Sequence, residues 1–125
     1  MRQRTNIDVD FQGFAAAIER TQLAKVAKGV SMLAAAHGNR VTGLKLGKPQ
    51  GWISKMRTIA KAVDLPGSVA GLLVVRGGVR DVEIAYYVAL IERKSRQKAR
   101  EVAANIANET RQSVKRIYAT LKPSR

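Results

Sequence analysis

The chain has 125 residues, enough for one domain with a modest core, and its 23 Lys and Arg against 9 Asp and Glu leave a net charge of +14. It has no cysteine, which excludes disulfide frameworks and zinc fingers. No run approaches the ~18 apolar residues of a membrane span, and the opening MRQRTNIDVD lacks the apolar stretch of a signal peptide, so a cytoplasmic protein is expected.

A pI near 11.0 implies a polyanionic partner, nucleic acid foremost. Aromatic residues make up only 5%, too few for the stacking platform of a single-strand binder, so duplex DNA is the expected ligand.

Residues 1–10 read as a loose polar arm, in which Arg2 and Arg4 either reach a minor groove or are simply solvated. A helix is predicted to open near Asp10. Leu23, Val26, Ala27, Val30, Leu33 and Ala34 supply its buried stripe, at the i, i+3, i+4, i+7 spacing. Gly29 inside it marks either a close approach of two helices or a break. The helix is expected to end at Gly38-Asn39, close to His37, a lone histidine with no ligand cluster around it.

Residues 39–63 are predicted to form a helix-turn-helix. Gly43 gives the first helix a small residue where the second crosses it, Leu46 faces the core, and Gly47 ends the helix in a left-handed conformation. Pro49 suits the first turn of the second helix, which runs to about Val63. Ile53 and Met56 point to the core, leaving Gln50, Gly51, Ser54, Lys55 and Thr58 outward. That face is small, polar and basic, as a major-groove reader needs. Trp52 either packs under the first helix, the favoured reading, or lies along the sugar–phosphate chain.

Pro66 stops that helix, and Ser68 caps a short one closed by Gly77-Gly78. Asp81 caps the next, with Val82, Ala85 and Ala89 on one face and Ile84, Val88 and Ile91 widening it. Its Tyr86 and Tyr87 suit either a core or a dimer interface. Ser95 caps a helix with Ala99, Val102, Ala103 and Ile106 inward, and Thr110 caps a last one with Val114, Ile117, Tyr118 and Leu121 inward. The expectation is an all-α, compact multi-helix domain of six to seven helices over residues 11–125.

Three pieces in order, LKLGKPQGWISKMRT with AVDLP, then VRGGVRDVEIAYYVALIERK, then ETRQSVKRIYATL, resemble the helix-turn-helix DNA-binding domain of the ParB/KorB family of plasmid repressors and partition proteins. The shared positions are Gly47-Lys48, Leu65-Pro66, and Gly78 with Arg80-Asp81, within a resemblance that spans residues 25–121. Pro49 replaces the serine that follows the glycine-lysine step, and the second helix is nearly one turn longer than in the family. No nucleotide-binding or dimerisation domain of that family is recognisable, so CTP hydrolysis, clamp sliding and recruitment of a partition ATPase are not carried over.

The resemblance implies a bacterial, plasmid- or nucleoid-associated repressor acting on an operator, or a partition protein on repeated sites. It also implies DNA contacts beyond the helix-turn-helix, with Arg111 a fair specificity contact. From the residues, DNA contact is expected at Lys48, Gln50, Gly51, Ser54, Lys55, Arg57 and Thr58. Arg111, Gln112 and Lys115 are expected to make a phosphate-binding helix start. A merely solvated face would read similarly at each position, and the cation-dense run from Glu92 to Arg100 is either a backbone grip or such a face. Specific readout by one short helix implies a homodimer or cooperative multimer on DNA.

No cofactor is expected, and no nucleotide-binding glycine motif or catalytic constellation is present. A helical RNA-binding protein, or an adaptor for an acidic protein partner, shares this composition and stands as the alternative class.

Overall fold

In a computed structural model, which describes residues 11–121, hydrophobic stripes of helical period close into an all-α fold of eight helices joined by short turns. They are α1 (residues 11–17), α2 (Leu23–His37), α3 (Asn39–Leu46), α4 (Gln50–Asp64), α5 (Val69–Val75), α6 (Val82–Lys94), α7 (Arg96–Ala104) and α8 (Arg111–Thr120). Short 3-10 turns follow α1 (Ile18–Arg20) and α7 (Ile106–Asn108). The expected arm with Arg2 and Arg4 lies outside the described residues.

The helix expected from near Asp10 to Gly38-Asn39 is in fact two. Thr21 turns its hydroxyl back onto the Ala17 carbonyl at 2.7 Å, and Thr21-Gln22 then take extended backbone before α2 begins. Gly29 is therefore no break. It is a close approach, since a Cβ there would stand 2.5 Å from the Phe14 ring of α1.

Helix α4 lies at the centre. Its stripe of Ile53, Met56 and Ile59 is 0–1% exposed and packs on Val26, Ala27 and Val30 of α2. Burial of each such side chain contributes roughly 1.5–3 kcal/mol. A second cluster, Ala70, Leu73, Val88, Ile91, Ala99, Val102 and Val114, joins α5, α6, α7 and α8, and Val79 touches both clusters. Ile106 leaves the α7 stripe, because that helix ends at Ala104 and the residue sits partly buried in the 3-10 turn.

Side-chain caps fix the later helix starts. Ser68, Asp81, Ser95 and Thr110 accept from the backbone N–H of Gly71, Ile84, Lys98 and Ser113, and Ser113 completes a capping box by accepting from the Thr110 N–H. Among the described residues no single helix is long and apolar enough to cross a membrane. The pair α4 and α5 would pass on composition together but is bent by 96°.

Candidate functional site

The α3–α4 junction is tight for two sequence-encoded reasons. Gly47 is left-handed (φ 70°), and both its N–H and that of Lys48 converge on the Gly43 carbonyl, closing the helix in three residues before Pro49 caps α4. Gly43 itself is buried against the turn, where a Cβ would stand 2.7 Å from the Lys48 carbonyl oxygen.

The first two turns of α4 present Gln50, Gly51 and Ser54 to solvent, backed by fully buried Ile53 and Met56. Asn39, at the start of α3, donates to the Ser54 hydroxyl (3.2 Å) and accepts from Arg57 (2.8 Å), so one amide fixes two of the expected contact residues. Sequence reasoning placed Asn39 at a helix end and missed this bridge, which spans 15 and 18 residues. Lys48 lies over the Trp52 ring at 5.2 Å, and Trp52 is partly buried against the first core cluster.

The outward face of α4 is narrower than its periodicity suggests. Thr58 is partly buried and lines a groove with Ala89, Glu92 and Arg93 of α6. Lys55 does not simply face solvent. It is ion-paired with Glu83 of α6 and lies 5.6 Å from the Tyr86 ring. The periodicity fails here because α6 packs alongside α4.

Glu83 is shared. Its second oxygen takes the Lys115 ammonium at 3.1 Å, and that ammonium lies 5.7 Å from the Tyr87 ring. Asp81, besides capping α6, accepts from the Arg111 guanidinium at 2.7 Å. Lys55, Arg111 and Lys115, expected at separate places in the chain, thus meet around two carboxylates. Gln112 is exposed beside them on the first turn of α8. Tyr86 and Tyr87 form part of this arrangement, packed edge-to-face with each other and, through Tyr87, with Tyr118.

Electrostatics follow from that geometry. The hydrogen bond from Lys55 holds the Glu83 carboxyl below its ordinary range; partial burial opposes this and Lys115 reinforces it. Lys55 is raised by the same bond. A groove of about 480 Å³ runs between Pro49 and Gly51 at the start of α4, Asp81 and Glu83 at the start of α6, and Arg111 at the start of α8. Three helix N-termini line it, each the positive end of its dipole, and the α4 start carries no acidic residue of its own.

The run from Glu92 to Arg100 divides. Glu92 caps α5, Lys94 covers the Tyr118 ring at 4.1 Å, Arg96 donates to the Gly67 carbonyl, and Lys98 pairs with Glu101, while Arg93 and Arg100 are exposed. Compared with known protein families, with curated proteins and with solved structures, the chain gives no match.

Proposed function

We propose that this protein binds double-stranded DNA sequence-specifically and acts as a repressor of plasmid or mobile-element genes. The first two turns of α4 enter the major groove, and the basic starts of α4 and α8 hold the backbone. One observation carries the reading: the small polar face Gln50-Gly51-Ser54 stands on a rigid support, with Lys48, Arg111 and Lys115 arranged beside it. The N-terminal residues of a recognition helix are those that reach base edges, and flanking cations supply the salt-dependent grip.

Gln50 is the residue suited to a bidentate contact with adenine. Lys48, Gly51, Ser54 and Arg57 frame it, and Lys55, Thr58, Arg111, Gln112 and Lys115 belong to the surrounding backbone contacts. The order of motifs shared with the ParB/KorB family supports the same assignment. A short helix reads few base pairs, so the protein works as a dimer or by side-by-side binding. The role is binding rather than catalysis: Asp81 and Glu83, the carboxylates of this groove, are committed to cations.

The test is fluorescence anisotropy on duplexes tiling the region upstream of its own coding sequence, with a shuffled duplex and a structured RNA as competitors, at two salt concentrations. One tile should bind at least ~1000-fold tighter than the shuffled duplex at near-physiological salt. Equal binding of all three nucleic acids, collapsing as salt rises, would reduce the protein to a generic polyanion binder and overturn the reading.

A further inference from the structure

Two carboxylates sit inside a surface that is otherwise built to attract phosphate. Glu83 is flanked by ammoniums from two separate helices, Lys55 of α4 and Lys115 of α8, and its side chain is 23% exposed. Asp81 is accounted for as the α6 cap, whereas Glu83 caps nothing. Among the described residues it pairs with the two lysines, each of which also lies near a tyrosine ring. Glu83 is thus an anion held between two ammoniums, in a groove lined by helix N-termini.

We infer that Glu83 is a selectivity residue: it stands in for a phosphate in the unbound protein and makes any duplex compete for Lys55 and Lys115. This rests on the DNA-binding reading. A non-cognate duplex offers charge alone, so it must break the Glu83 bridges for little return or bind without those lysines. A cognate duplex adds base contacts at Gln50 and Ser54 and tolerates the competition. Glu83 thus lowers non-specific affinity more than specific affinity, by a repulsive device rather than by an added contact.

The test compares wild type with Glu83→Gln on the shuffled duplex and on the tightest-binding tile, across a salt series. Glutamine keeps the shape and can still accept a hydrogen bond, but no longer holds two ammoniums. Each lysine released to a phosphate steepens the log–log salt slope by about 0.9, equivalent to about fivefold in affinity at 0.15 M salt relative to 1 M. The shuffled duplex should therefore bind at least about fivefold tighter to the variant, with a slope steeper by 1–2, while the tile-to-shuffled ratio falls. Unchanged slope and affinity on the shuffled duplex, with a lowered melting temperature, would make Glu83 only a tie between α4 and α8 and overturn the inference.

Lys115→Ala supplies a second measurement that does not depend on Glu83→Gln folding. Lys115→Ala should cost more on the preferred tile, where base contacts let the duplex take this lysine from Glu83, than on the shuffled duplex, where the bridge holds it; an equal or larger loss on the shuffled duplex would show the ammonium engaged with phosphate whatever the sequence and overturn the inference. Failure of the DNA reading itself is seen separately, in wild type alone, as the absence of any preferred tile.

Discussion

Alanine at Gly43 pits a local gain against a tertiary clash. Replacing an interior helical glycine gains about 1 kcal/mol of propensity. The new Cβ, however, would lie 2.7 Å from the Lys48 carbonyl oxygen, and ordinary contact begins near 3.4 Å. That oxygen belongs to backbone, in a turn pinned by the Lys48 N–H donating to the Gly43 carbonyl at 2.9 Å, so relief requires the turn to move. Overpacking of this kind costs about 1–3 kcal/mol, which leaves Gly43→Ala between neutral and ~2 kcal/mol less stable.

Gly51→Ala is the internal control. It is exposed on α4, nothing lies within 4 Å of its Cβ position, and its propensity gain is at most about 1 kcal/mol. Urea denaturation followed by the fluorescence of Trp52, the sole tryptophan, should place Gly43→Ala about 1–3 kcal/mol below Gly51→Ala. Equal stabilities would refute the Gly43–Lys48 approach as what sets the helix-turn-helix geometry. Gly51→Ala should nevertheless weaken binding to the preferred duplex, since it adds a methyl to the proposed reading face without loosening the fold.

Other perturbations test separate parts of the structure. Gln50→Ala should cost about 1–3 kcal/mol on the preferred duplex and far less on shuffled DNA, as measured by anisotropy; equal losses would remove base readout from this residue. Gly71→Ala puts a Cβ 2.3 Å from the Ala62 carbonyl oxygen, so α5 must move off α4, and a melting temperature at or above wild type would contradict that packing. Glu83, whose folded carboxyl is held below its ordinary range, contributes stability above that range that is lost as pH falls through the depressed value. Lys55, raised in the folded state, contributes stability below the ordinary lysine range that is lost as pH rises through the raised value. Glu83→Gln should flatten both limbs of the urea midpoint against pH, and parallel curves for variant and wild type would count against the bridge.

Local chemistry was legible in the sequence, and distant partnership was not. Ser68, Asp81, Ser95 and Thr110 could be assigned as caps because the N–H groups they accept from lie three residues away. Gly47 declared the turn for the same reason. Gly29 stayed ambiguous because what decides it is Phe14, on another helix. The break after α1 went unread, since residues 14–22 contain neither proline nor glycine and the hydroxyl of Thr21 does the work instead. Lys55 looked like an outward contact because its partner lies 28 residues ahead, at a position periodicity assigns to nothing in particular. The signal that remained was chemical: an acidic residue at the start of α6, in a chain with few of them, needed cations nearby.

Glu92 bears on the order in which the chain becomes structured. Its carboxylate accepts from the Val69 and Ala70 N–H groups at 2.8 and 3.1 Å and from the Ser68 hydroxyl at 3.0 Å, so the start of α5 is closed by a side chain from the far end of α6. A seven-residue helix is too short to persist in water by itself. α5 must therefore consolidate together with α6 rather than ahead of it. Because α5 also packs against α4, its dependence on Glu92 links the ordering of the two core clusters. Amides in α4, α5 and α6 should then exchange with solvent through one shared opening rather than helix by helix.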